Sequence, residues 1–274
     1  MKRVSFLEII IPYIASILVP EEFWELFTIG GISPRDVEKV RAHAWKLLRT
    51  DRFSTIKICY EFCVYFNEAV EGVNPYLPTL LQENSNGNQL SNERLADYSL
   101  CPLRVNTRSP RGYAEEWYGK VIREKLYSLY LDCPTGITLM YKGKPNAIVG
   151  LYPCNESTLM IYQLQGVRPI NIETGERASS RGIAPLDWQK LLVDIAVYIG
   201  NNMGFSTIGI LGASNNPWVR LGHFTLEDAV EKYDNVATRL GFKPRSDGNF
   251  YMSIEEYIEK HHKNCHKNDW VKIK

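Results

Sequence analysis

The chain has 274 residues, 45% of them hydrophobic, enough to fill at least one substantial core and to exclude disorder as a description of the whole. Lys and Arg total 32 and Asp and Glu 31, and the resulting net charge of +1 excludes a whole-protein field that draws in nucleic acid or an anionic membrane. The six scattered cysteines, with no Cys-x-x-Cys pair, exclude a small disulfide scaffold and read as reduced thiols of a cytoplasmic protein.

The apolar run VSFLEIIIPYIASILV (4–19) follows Met-Lys-Arg and mimics a signal peptide, but Glu8 and Pro12 interrupt it. It is also shorter than the roughly 18–20 apolar residues of a spanning helix. It therefore reads as a buried or partner-facing element, with no membrane role. Ser33, Pro34 and Asp36 form a helix start, and Val37, Val40, Ala44, Leu47 and Leu48 continue at helical spacing. A second helix near 53–71 stacks Ile56, Tyr60, Cys63 and Phe66 until EGVNPYLP breaks it. Cys59 and Cys63 fall on this helix, where packing is the expected role ahead of metal ligation. Residues 82–94, QENSNGNQLSNER, are polar and lack aromatics, as a linker or long surface loop does. Residues 1–97 thus read as a helical N-terminal region, whose helices are a candidate surface for a protein partner.

From Tyr98 the pattern changes. YSLCPLRVNT (98–107) predicts a strand, and Trp117, Val121, Lys125 and Leu129 at steps of four predict a helix over 113–131. GITLMY, AIVGLY and TLMIYQLQGV follow, separated by KGKPN and PCNES, turns too short for parallel crossovers, so the three strands predict an antiparallel meander. APLDWQKLLVDIAVYIGNNMGF (184–205) carries an apolar helical stripe and ends in Asn202 and Gly204. STIGIL (206–211) is then a buried strand, closing a right-handed parallel crossover. Thr225 and Asp228 open another helix, on which Val230, Tyr233, Ala237 and Leu240 share a face, and NFYMSI (249–254) finishes as a strand. GASNNPWVRLGHFT (212–225) reads either as a lid or as a packed satellite loop. The tail HHKNCH (261–266) reads as solvated, with no metal site assigned.

The order β, α, β, β, β, α, β, α, β, with RGIA (181–184) before a helix and RLGF (239–242) closing a later one, resembles the GNAT (N-acetyltransferase) superfamily over roughly residues 98–258. The resemblance implies an α+β fold, a mixed central sheet flanked by helices, with 98–274 as an acyltransferase domain. It implies acetyl-CoA as cofactor and an amine-bearing small molecule or protein as acceptor. The family's phosphate loop is Gln or Arg, two residues, Gly, one residue, then Gly or Ala, where small residues let backbone N–H groups approach a diphosphate at a helix N-terminus. Arg181, Gly182 and Ala184 match its second half, while Ser179 stands at its first position and INIETGERASS (170–180) lengthens the approach.

By the same resemblance, Gln165 and Val167 of the fourth strand offer backbone groups to the pantetheine arm, and Asn215 matches the Asn after the fifth strand. Gln163 and Gln165 alternate with Leu164 and so share a face, lining an acceptor pocket or a solvated sheet. The family's Tyr four residues before the helix-ending Gly is Ala237 here, and Tyr233, one turn of about 5.4 Å earlier, is the candidate acid. Asp187, His223 and Glu173 are candidate bases. The implied activity is direct acetyl transfer to an amine; the alternative is a non-catalytic binding protein on the same fold. Nucleic-acid contact through Arg104, Arg108, Arg111, Tyr113 and Trp117 is a third idea, with scattered surface charge the expected outcome.

Overall fold

The computed structural model describes residues 53–87, 89–104, 120–122, 125–127, 129, 131, 133, 135–177, 182–216, 219 and 225–262. The expected helix after Ser33, the run 4–19, Arg108, Arg111, Tyr113, Trp117, Ser179, Arg181 and His223 lie outside them. The fold is α+β, built on a seven-stranded mixed sheet with several helices.

Helix α1 (Phe53–Val73) ends where Asn74, Pro75 and Tyr76 tighten into a 3-10 turn, and α2 (Leu77–Glu83) follows. The polar stretch 82–94 begins inside α2 and ends inside α3 (Asn92–Ala96), with Asn84, Ser85 and Leu90 buried. Asn84 turns inward: its Nδ2 donates to Leu80 O at 2.8 Å and to Asp194 Oδ2 at 2.7 Å.

Strand β1 (Tyr98–Arg104) pairs antiparallel with β4 (Thr135–Tyr141), which continues into β5 (Lys144–Asn155) and β6 (Thr158–Gly166) as the expected meander. Between them the helix expected over 113–131 is contradicted: Lys120–Ile122 and Lys125–Tyr127 are the short antiparallel strands β2 and β3. The reason is a second period in the same residues. Tyr127, Leu129 and Leu131 alternate and all are buried, together with Met140, Ile148 and Val167, on the sheet face opposite the main core. Burial of an alternating set overrode the spacing of four. Strand β7 (Ile170–Asn171) pairs with β3 and completes this small second sheet.

Helix α4 (Trp188–Asn202) crosses over to β8 (Thr207–Ile210), which lies parallel to β6. The chain then forms a 3-10 turn (Ala213–Asn215), α5 (Leu226–Ala229), a π-turn (Val230–Asp234) and α6 (Asn235–Leu240). A short hairpin of β9 (Lys243–Pro244) and β10 (Phe250–Ser253) leads to α7 (Ile254–His261), a helix absent from the sequence reading. Ser253 caps α7, accepting from Glu256 N, and acids open it while Lys260 and His261 close it. The main sheet runs β1-β4-β5-β6-β8-β10-β9.

One core fills the space between this sheet and α1 and α4. Ile137, Leu139, Val149, Leu151, Leu159, Ile161, Ile208 and Ile210 meet Phe62, Phe66, Val70, Leu191, Leu192, Ile195 and Ile199. Each fully buried Leu or Ile contributes about 1.5–3 kcal/mol. Residues Leu191 to Gly200 are all buried, because the sheet, α1, α6 and α7 surround α4. No helix among the described residues is long and apolar enough to cross a membrane.

Candidate functional site

The central feature is the parting of two parallel strands. β6 and β8 pair from Thr158↔Thr207 to Ile161↔Ile210, and the Leu211 N–H then donates to Ile161 O at 3.0 Å. There β8 ends, but β6 runs on to Gly166, held by β5 alone among the described strands. The two strands thus part at their carboxyl ends, and α4 is the crossover that joins them. The loop before α4 comes down onto this end of β6: a Cβ on Gly166 would sit 3.4 Å from Ile183 Cδ1 and 4.0 Å from Trp188 Cζ2.

Gly182 is fixed within that loop. Its N–H donates to Asn146 Oδ1 at 3.1 Å and its carbonyl accepts from Tyr98 Oη at 2.6 Å. A Cβ there would overlap Asn146 Oδ1 and come within 2.8 Å of Tyr141 Cβ, so close packing accounts for the glycine. Its amide is therefore committed to the protein. Ala184 is exposed, and the N–H groups of Ile183 and Ala184 take no partner among the described residues.

At the N-terminus of α4, the Asp187 carboxylate accepts from Lys190 N at 3.3 Å, and Arg239 grips it with Nη1 and Nη2. Burial alone would raise the Asp187 pKa, but the bonds from Arg239 and Lys190 outweigh it and lower it. A carboxyl so held is a poor proton acceptor. Glu173 is exposed in a surface turn.

Along β6, Gln163 and Gln165 pair across from Gly150 and Ile148, which sets them on the face opposite α4. Gln163 is buried, Gln165 exposed, and Gln163 Nε2 donates to Gln165 Oε1 at 2.8 Å. The Val167 N–H donates to Asn146 O at 2.8 Å and its side chain is buried in the second core. The contribution expected of Val167 is thereby reduced to its carbonyl.

On the β8 bank, Asn215 Nδ2 donates to Asp247 O at 2.7 Å and to Asn249 Oδ1 at 2.9 Å, tying the 3-10 turn to the β9–β10 hairpin. Asp234 Oδ1 accepts from Ala213 N at 2.7 Å. Tyr233 lies in the π-turn, where the Asn235 N–H bonds to Val230 O five residues back, and it is only 5% exposed. The continuous helix expected here carries an extra residue in the turn that holds Tyr233, a distortion common at functional sites. Ala237 is fully buried.

The sequence missed Asn146 and Tyr98, single polar residues at strand ends, and Asp234, on a helical turn, because none of them carries a motif. It also missed His262, expected to be solvated but buried at 3%, with contacts to Glu83 and Asp194 from distant helices. Among the described residues no group of three or more His, Cys, Asp or Glu is arranged to hold a metal ion.

Comparison with protein-family models, with curated proteins and with solved structures returned no match. The functional reading rests on the geometry.

Proposed function

We propose that this chain is a GNAT-like acyltransferase that binds acetyl-CoA in the cleft between β6 and β8 and passes the acetyl group directly to an amine. The observation that carries the reading is the parting of these strands after Ile161↔Ile210, with α4 as the crossover between them. An extended pantetheine arm fits such a gap, with the exposed Gln165 and the Val167 carbonyl on one bank. Arg181 and the Ile183 and Ala184 amides supply donors for the diphosphate, with Gly182 setting their position. Cations stand on both banks: Arg168 follows β6 and Lys232 lies on the π-turn. Burial first, and then the nearby Arg168 charge, lower the Lys232 pKa against the opposing pull of Asp228 and Glu231.

In the reaction, the neutral amine nitrogen attacks the thioester carbonyl, the C–N bond forms and the C–S bond breaks; the nitrogen gives up its extra proton to solvent water, and the departing thiolate takes one from Tyr233, which solvent reprotonates. Holding both reactants in one cleft supplies the proximity that direct transfer needs. Tyr233 is the acid of this reading. The acceptor is an amine-bearing small molecule or protein.

A second reading is favoured by one specific observation: Ala237 stands where the acid is expected and Tyr233 is buried in the main core. It makes the chain a binding protein that has kept the cleft and lost the chemistry, engaging a partner through its N-terminal helices.

Acetyl-CoA titration against the purified protein, followed by thermal unfolding, tests the cofactor with Arg181→Glu beside the wild type. Ligand at 100 times its dissociation constant adds about 2.7 kcal/mol. A stabilisation of the wild type that disappears in the variant supports the site; no shift in either overturns it. Acetyl-CoA consumption with an amine panel then separates enzyme from binding protein.

A further inference from the structure

We infer that Asn146 is a positioning residue for the cofactor loop, holding Gly182 so that the following amides face the cleft; this rests on the acetyl-CoA reading above. Asn146 is 5% exposed and bonds to three segments at once. Its Oδ1 accepts the Gly182 N–H at 3.1 Å, its main-chain carbonyl accepts the Val167 N–H at 2.8 Å, and its Nδ2 donates to Lys144 O at 2.7 Å. The first bond fixes the loop, the second the end of β6, and the third orients the amide so that its oxygen faces Gly182.

Tyr98 completes the clamp from the other side. Its hydroxyl bonds the Gly182 carbonyl at 2.6 Å, and its ring packs on Tyr141 with centroids 4.7 Å apart. Both peptide groups of Gly182 are thus held by side chains from two strands, β1 and β5. A loop held in this way meets a diphosphate with its donors already placed, which lowers the ordering cost of binding. Asn146→Ala leaves the Gly182 N–H buried without its acceptor, and the loop must shift to satisfy it.

The experiment uses the full chain with coenzyme A and, separately, pantetheine, which lacks the diphosphate. Isothermal titration of the wild type, Asn146→Ala and Tyr98→Phe is combined with amide hydrogen exchange over residues 182–187. The expected result is a loss of coenzyme A affinity of about tenfold or more in Asn146→Ala, a smaller loss in Tyr98→Phe, unchanged pantetheine binding, and faster exchange confined to the loop. Equal weakening of both ligands overturns a role specific to the diphosphate. Unchanged coenzyme A affinity in Asn146→Ala overturns the inference and leaves the cofactor reading standing. A wild type that binds neither ligand overturns the cofactor reading; unchanged loop exchange overturns the clamp itself, whatever is bound. Circular dichroism of each variant, native-like throughout, separates these outcomes from misfolding.

Discussion

His262 and Asp194, 68 residues apart, meet inside the protein with Nε2 and Oδ1 3.2 Å apart and both side chains fully buried. The His262 Nδ1 lies 3.0 Å from Glu83 Oε2, so one ring joins α2, α4 and the end of α7. Asp194 also accepts from Lys190 Nζ at 2.8 Å, Tyr257 Oη at 2.6 Å and Asn84 Nδ2 at 2.7 Å. A carboxylate removed from water survives because each lone-pair direction has a donor.

This arrangement sets a pH dependence. Burial would lower the His262 pKa, but its bonds to Asp194 and Glu83 raise it to about 9 from 6.5. The native state therefore holds a proton that the unfolded chain releases earlier, and stability falls as pH rises. The contribution is complete below about pH 6.5 and lost through about pH 9, and its size is on the order of 3 kcal/mol. The thermal midpoint should drop over this window in the wild type and stay flatter in His262→Gln; parallel curves for the two proteins would refute it. Asp194→Ala, which strands Tyr257, Asn84 and a charged ring, should cost about 3–5 kcal/mol in urea unfolding.

Gly182→Ala tests close packing at the loop. The added methyl must displace Asn146 Oδ1 and Tyr141, at a cost of about 1–3 kcal/mol. Urea unfolding measures the cost, and acetyl-CoA titration should show weaker binding. A variant as stable as the wild type would mean that the strands give way at no expense.

Tyr233→Phe tests the acid. It should lower kcat by about a hundredfold with little change in KM, within the range for a general acid. Steady-state acetyl transfer decides the matter, and an unchanged kcat moves proton donation to another group.

Asn215→Ala removes two hydrogen bonds to the β9–β10 hairpin and should cost about 1–2 kcal/mol. If Asn215 touched cofactor, KM for acetyl-CoA would rise as well. The hairpin bonds predict that stability falls while KM holds.

The parts of the fold legible in the sequence are those whose cause is local. The stripe Leu191, Leu192, Ile195, Ala196 and Ile199 named α4, and the short turns KGKPN and PCNES named the meander of β4, β5 and β6, although β5 extends into both of them. Leu240-Gly241-Phe242 named a helix end, since Gly241 adopts φ +86°, a conformation that disfavours any side chain. Even the parallel return to β8 follows from strand, helix and strand in succession. The tertiary structure decided the rest. Lys120–Ile122 and Lys125–Tyr127 are strands because the alternating Tyr127, Leu129 and Leu131 are buried against the second face of the sheet, a partner no local period reveals. Gly182 is held by Asn146 and Tyr98, 36 and 84 positions away, and His262 by Asp194 and Glu83, 68 and 179 positions away. Propensity acts over a few residues, whereas a buried polar group is satisfied by whatever the fold brings within about 3 Å. The parting of β6 and β8 is of this second kind: β8 stops at Ile210 while β6 continues to Gly166, and only the register of the two strands reveals the difference.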